Sequence, residues 1–162
     1  VIPEGWAPEL LGPQGRFVEA ILDRAREFTY ADGAALAAVW DATRVQDDRV
    51  DARNAAWRAA WNAGRRDAAL DAAAHAAYDP AYHAGVAADT WWALWFDAWG
   101  AAWASAQAVA CRDLIGGQGF GQGQYDTLTG PWRRVIGPVH PGDVDIRAAG
   151  TDPDGVVEVS LR

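Results

Sequence analysis

Half of the chain's ten tryptophans, Trp91, Trp92, Trp95, Trp99 and Trp103, fall in one stretch at 89–115, DTWWALWFDAWGAAWASAQAVACRDLI. At about 100° per residue, the four-residue steps from Trp91 through Trp95 and Trp99 to Trp103 turn by roughly 40° each, so these indoles share one broad helix face, with Trp92 and Phe96 on its flank. The opposite sector carries Ala93, Asp97, Gly100, Ala101, Ala104 and Ala108. A helix apolar nearly all round belongs at the centre of a fold, and the pattern predicts one long buried helix that the other elements surround. Burial of each indole would remove on the order of 200 Å² from water, worth roughly 5 kcal/mol before entropy at about 25 cal/mol per Å². The Trp91, Trp95, Trp99 and Trp103 face is therefore expected to be core. Its functional alternatives are the wall of a ligand site or a surface kept open for a partner.

The span from Trp91 to Cys111 approaches the ~20 residues that cross a bilayer. Asp97 near its middle would cost roughly 3 kcal/mol there, and alanine and glycine return little, so no membrane association is expected.

A chain of 162 residues is long enough for one well-buried core, and neither a repeat of domain size nor a long linker divides it. The expected architecture is mainly α: a single-domain helical bundle over 1–143, with 1–15 as a lead-in segment and 144–162 as a small C-terminal β-hairpin or an extended tail. The formal charge of −8 opposes binding to nucleic acid or anionic membrane, whereas a basic protein partner suits it. The acids are interleaved with arginines, as on solvated helix faces. Cys111 is the single cysteine, so no internal disulfide forms, and its apolar setting suits a small buried residue. With no basic start followed by an apolar run, a reducing cytoplasm is the expected compartment.

In chain order, residues 1–15 hold three prolines and three glycines around Trp6, Leu10 and Leu11, a lead-in strapped onto the core by its apolar side chains. Over 16–28, Phe17, Ala20, Ile21 and Leu22 have amphipathic helical spacing. Thr29 or Asp32 then caps a second helix over 34–43 that buries Leu36, Val39 and Trp40. From 46 to 78, Val50, Asn54, Trp57, Trp61, Gly64, Ala68, Asp71 and His75 alternate four- and three-residue steps. That heptad-like seam predicts a long helix, or two broken near Gly64, with Trp57 and Trp61 against the central helix and the arginines and aspartates in water. Asp79-Pro80 marks a turn.

The glycine run at 116–123 ends the central helix and lacks the strand–turn–helix setting of a phosphate loop. A short helical turn over 124–128 stops at Gly130-Pro131, after which Trp132 folds back onto the aromatic core. Alternation at 144–149 and 156–161 about Thr151-Asp152-Pro153-Asp154-Gly155 predicts the hairpin, which is marginal unless it packs.

No Ser/His/Asp, Cys/His, HExxH, CxxC or phosphate-loop pattern occurs, so no catalytic residue, metal ligand or cofactor site is assigned. The candidate polar site is Asp97, His75 and His140. Asp97 lies on an otherwise small, apolar face and needs a partner if covered, with Arg58, Arg65 or Arg66 as candidates; a structural ion pair is expected ahead of a general base. His75, on the tryptophan seam, is expected to be a hydrogen-bonded core residue. His140, in Gly137-Pro138-Val139-His140-Pro141-Gly142-Asp143, either fixes a rigid turn or presents an imidazole to a ligand.

Residues 125–141, YDTLTGPWRRVIGPVHP, together with the Ala/Trp-rich helices before them, resemble small uncharacterised helical proteins of actinobacteria and their phages over roughly 55–143. Use of arginine to the exclusion of lysine, with abundant alanine, glycine and aspartate, fits such high-GC genomes. The alanine-rich helices are also similar to immunity proteins of bacterial toxin systems, and this resemblance carries over no functional residue. Absent catalytic signatures, the expected function is a non-enzymatic protein-interaction module: an immunity- or inhibitor-type protein or a phage-associated accessory factor, with a protein partner or self-association. The alternatives are a small-molecule binder or enzyme with a Trp-lined pocket, and a phage structural subunit.

Overall fold

The computed structural model describes residues 12–43, 48–65 and 91–147. Among them are five α-helices: α1 (Gly15–Arg26), α2 (Tyr30–Ala42), α3 (Arg49–Asn62), α4 (Trp91–Ala110) and α5 (Gln122–Val135), with a 3-10 turn at Arg112–Leu114. The architecture is mainly α, and no described helix is long and apolar enough to cross a membrane.

Helix α1 buries Val18, Ile21, Leu22 and Ala25, the i, i+3, i+4, i+7 stripe of an amphipathic helix. Ala20 faces solvent instead, and Arg24 and Arg26 in the last turn complement the helix dipole. The next helix starts at Tyr30, four residues earlier than the sequence predicts, because Thr29 and Asp32 form a reciprocal capping box. The Thr29 hydroxyl accepts the Asp32 N–H at 3.1 Å, and the Asp32 carboxylate accepts the Thr29 N–H at 3.2 Å. Arg24 donates to the same carboxylate at 3.0 Å, which locks the α1–α2 corner. Leu36 and Trp40 are buried, whereas Val39 is only half-buried.

Helix α4 packs against each of the other four described helices. Its described packing surface is built from small residues. Over residues 101–110 every side chain but Trp103 is buried, and the buried surface is alanine: Ala98, Ala101, Ala102, Ala104, Ala106, Ala108 and Ala110. Phe96 is 42% exposed, and Trp99 and Trp103 are half-buried. The side chains of Trp91 and Trp95 lie outside the described residues.

The reason is steric. Helix axes separated by about 8–10 Å need small residues at the crossing, and an indole placed there holds them apart. Trp40 packs directly on the α4 backbone at Gly100, where a Cβ would stand 3.2 Å from its ring.

The same reversal governs α3. Its buried face is Arg49, Ala52, Ala55, Ala56 and Ala59, so the seam against the neighbouring helices is mostly alanine, and Trp57 and Trp61 remain exposed. Gly64, at φ +75°, ends the helix, and the Arg65 N–H reaches back to the Ala60 carbonyl at 2.9 Å in a Schellman-type closure. Cys111 is fully buried, its thiol donating to the Ala56 carbonyl at 3.2 Å.

Glycines shape the α4–α5 connection. Gly116 at φ +92° lets its N–H bond the Phe120 carbonyl at 3.0 Å, which turns the chain and seats Phe120 in the core. Helix α5 then runs through Gly130-Pro131 to Val135, correcting the predicted stop. Leu128, Thr129 and Trp132 anchor it on both sides of the proline, and that packing offsets the ~3 kcal/mol cost of proline inside a helix. Trp132 is buried beside Phe28, ring centroids 5.4 Å apart.

Residues 144–147 form no strand, and the Arg147 side chain pairs with Asp145 two residues before it. The rest of the expected hairpin, most of the 1–15 lead-in, and the continuation of the 46–78 helix with its Asp79-Pro80 turn lie outside the described residues.

Candidate functional site

Helix α3 turns outward the large residues that its alanine seam excludes. Trp57 and Trp61, one turn apart, stack with centroids 5.6 Å apart and planes at 22°, yet they remain 43% and 64% exposed. Val50, 70% exposed, continues this strip toward the helix start.

Beside Trp57, between α3 and α4, opens a cleft of about 330 Å³ lined by Val50, Arg53, Asn54, Trp57, Trp103 and Gln107. Helical spacing assembles it: Val50, Arg53 with Asn54, and Trp57 form an i, i+3/i+4, i+7 row, and Trp103 and Gln107 lie one turn apart on the facing helix.

Two arginine–indole stacks run along α3. Arg49, itself buried, lies 3.5 Å over the Trp40 ring and donates to the Trp40 carbonyl at 3.0 Å and the Thr43 hydroxyl at 2.8 Å. One turn on, Arg53 lies 4.0 Å over Trp103, which stacks in turn on Trp99 at 6.4 Å. The Arg53 guanidinium has no hydrogen-bond acceptor among the described residues. Burial and then the charge of Arg49 pull its pKa below the ordinary arginine range, although a guanidinium stays protonated. Gln107 donates to the Arg53 carbonyl at 3.4 Å, and its buried Oε1 has no hydrogen-bond partner among the described residues. A guanidinium, two carboxamides and two indoles recognise groups by stacking and hydrogen bonding; none transfers protons near neutral pH.

His140 belongs to a second constellation, centred on Asp143, whose side chain is 1% exposed. The Asp143 carboxylate accepts the Tyr125 hydroxyl at 2.8 Å and the backbone N–H groups of Val139 and His140 at 3.0 and 3.1 Å. Arg133 flanks it at 3.8 Å and holds Asp126 at 3.0 Å and the Val144 carbonyl at 3.1 Å, while Arg112 lies 4.9 Å over the Tyr125 ring. Burial, with the Asp143 hydrogen bond and charge, pushes the Tyr125 hydroxyl far above its usual range.

The His140 ring packs edge-on against Phe17 at 4.9 Å, and its Nδ1 accepts the Gly142 N–H at 2.9 Å. Burial, then the charges of Arg112 and Arg16, outweigh Asp143 and hold its pKa below 6.5. The imidazole is therefore neutral near pH 7, with Nδ1 as acceptor. This constellation latches the 137–143 loop across α5 and α1.

The predicted polar site is thus not assembled as a unit among the described residues. Asp97 sits half-buried on α4. Of the partners considered for it, Arg65 forks instead onto Asp113, with one N–H also on the Ala110 carbonyl; Arg58 is exposed, and Arg66 lies outside the described residues. His140 is in the latch, and His75 lies outside the described residues. Of the described residues of the predicted aromatic face, Trp103 lines the cleft and Trp99 stacks behind it. Sequence reading missed Arg53 and Gln107; their signal is that each stands one turn from a tryptophan, Trp57 and Trp103. No family model, curated protein or solved structure matches the chain.

Proposed function

We infer that the chain is a non-enzymatic protein-interaction module whose contact surface is the outward face of α3, with Trp57 and Trp61 as anchors. The observation that carries this reading is the stacked indole pair left 43% and 64% exposed on a helix whose other face is fully seated. Tryptophan and arginine are the residues on which binding energy concentrates at interfaces. A pair already stacked loses little side-chain freedom when a partner covers it. From Val50 to Trp61 the strip runs about 16 Å along the helix at 1.5 Å per residue. The partner is a protein surface with an apolar groove and, facing a chain of net charge −8, a basic rim. An immunity- or inhibitor-type protein and a phage-associated accessory factor are the forms this module takes.

The test uses the wild type and a W57S/W61S variant as parallel baits in extract of the source organism, with sedimentation velocity on each protein alone. The wild type is expected to retain a saturable partner or to dimerise with concentration, and the variant to lose that association at unchanged far-UV circular dichroism. Equal retention by both proteins, or no association of any kind by the wild type, overturns the reading.

A further inference from the structure

The cleft beside Trp57 has a chemistry that the apolar strip lacks. Arg49 has a carbonyl and a hydroxyl as acceptors, Arg65 has Asp113, and Arg133 has Asp126, whereas Arg112, over the Tyr125 ring, has a buried Nε with no acceptor among the described residues. Arg53 has none among the described residues, although it is half-buried and lies one turn from the like charge of Arg49. The Arg53 nitrogens are not sealed from solvent, so an anion entering the cleft can reach them, and a partly dehydrated guanidinium gives up little water to form that charge-assisted pair.

The geometry narrows what that is. Stacking on Trp103 at 4.0 Å occupies one face of the guanidinium and leaves its N–H edges for a carboxylate fork in the same plane. Trp57 adds a second, half-exposed indole, and Asn54 an exposed carboxamide at the rim. The volume of about 330 Å³ lies at the small end of ligand sites and equals the liquid volume of about eleven waters, room for a body of one or two fused rings. One guanidinium matches one negative charge; a dianion would leave charge unbalanced on a chain that is already acidic.

We propose that the α3–α4 cleft binds a small carboxylate carried on a planar apolar body, with the carboxylate on the Arg53 edge and the ring against Trp57. This goes beyond the partner surface, since it assigns a small-molecule site and its ligand class.

The experiment is isothermal titration of the full chain with benzoate, indole-3-acetate and 2-naphthoate, with naphthalen-2-ylmethanol as the uncharged counterpart. At least one carboxylate is expected to bind with one-to-one stoichiometry, and the alcohol about tenfold or more weakly than 2-naphthoate, as loss of a charge-assisted pair requires. Arg53→Gln is expected to weaken the carboxylate by a similar factor and leave the alcohol unchanged. Should Arg53→Gln fail to fold, Arg53→Lys, which keeps the charge and loses the fork, gives an intermediate affinity. Equal binding of acid and alcohol, carboxylate affinity indifferent to Arg53→Gln, or no binding of any of the three carboxylates overturns the proposal. Arg53→Gln leaves the stacked Trp57–Trp61 pair in place and is expected to keep the partner association while losing carboxylate affinity, so the two readings fail separately.

Discussion

Replacing Asp143 by alanine tests the latch that holds the 137–143 loop to the bundle. The substitution strips acceptors from the Tyr125 hydroxyl and from two backbone N–H groups, at 2.8, 3.0 and 3.1 Å, and leaves Arg133, 7% exposed, facing no carboxylate on that side. Each orphaned donor costs about 1 kcal/mol or more, and breaking a buried charge pair costs ~3–5 kcal/mol in all. Part of the loop can rehydrate, which places the expected loss at about 3–4 kcal/mol. For a chain of this size that is roughly 6–16 °C in Tm.

Urea unfolding followed by far-UV circular dichroism measures it, with Tyr125→Phe alone expected to cost ~1 kcal/mol. The double variant should lose less than the sum, because the two share one hydrogen bond. A loss below about 1 kcal/mol for Asp143→Ala, or strict additivity with Tyr125→Phe, would refute the latch.

Other expectations follow from the reversed packing faces and from the titrating groups. Trp61→Ser, on a 64% exposed side chain, changes stability by less than about 0.5 kcal/mol in the same urea assay. Ala104→Leu, at a fully buried position, overpacks the α4 crossing and costs about 1–3 kcal/mol; a stabilising result would contradict an alanine-packed core. His140 and Asp32 are among the groups that make stability fall in acid. The folded pKa of His140 lies below 6.5, and that of Asp32 lies below 3.8 because the Thr29 amide and Arg24 outweigh the upward push of burial. In both cases the native state binds fewer protons than the unfolded chain, so the contribution is present above the unfolded value and is lost as pH falls through the folded one. Thermal melts across acidic pH therefore show a decline beginning below about pH 6.5, which His140→Gln removes, and a further one below about pH 4, which Asp32→Asn reduces while the Asp145–Arg147 pair still contributes.

Much of the fold is legible in the sequence because local signals agree with it. Ile21 and Leu22 mark the first helix, although Val18 and Ala25 complete its buried stripe in place of Phe17 and Ala20, and Thr29, Asp32 and the glycine at 64 mark a helix start and a helix end without help from distant residues. What misleads is hydrophobic rank. Tryptophan outranks alanine in transfer free energy, so a periodic reading assigns Trp57, Trp61, Trp99 and Trp103 to the core, whereas close helix crossings select Ala56, Ala59, Ala101 and Ala104 for it. Residues on a helix surface are legible as a set, but which set faces inward is decided by the partner helix. The Pro131 stop fails for a similar reason, since tertiary contacts of Leu128 and Trp132 outweigh a local penalty.

The site follows the same logic. Arg53 and Gln107 look like ordinary polar positions along their own helices, and only the α3–α4 pairing places them in one cleft with Trp103. Asp97 and His140 stand out in sequence by being charged or titratable among apolar or rigid neighbours. His140 proves to be used in latching a loop, its Nδ1 already holding the Gly142 N–H.

The central claim is that α3 shows its tryptophans to solvent and its alanines to the neighbouring helices. Oxidative labelling of the native protein, with modification at each tryptophan quantified by mass spectrometry, tests this most directly. Trp57 and Trp61, 43% and 64% exposed, are expected to react fast, and Trp40 and Trp132, 9% and 2% exposed, slowly. Protection of Trp57 and Trp61 to the level of Trp132 would put the tryptophan seam inside and remove the surface on which the proposed function rests.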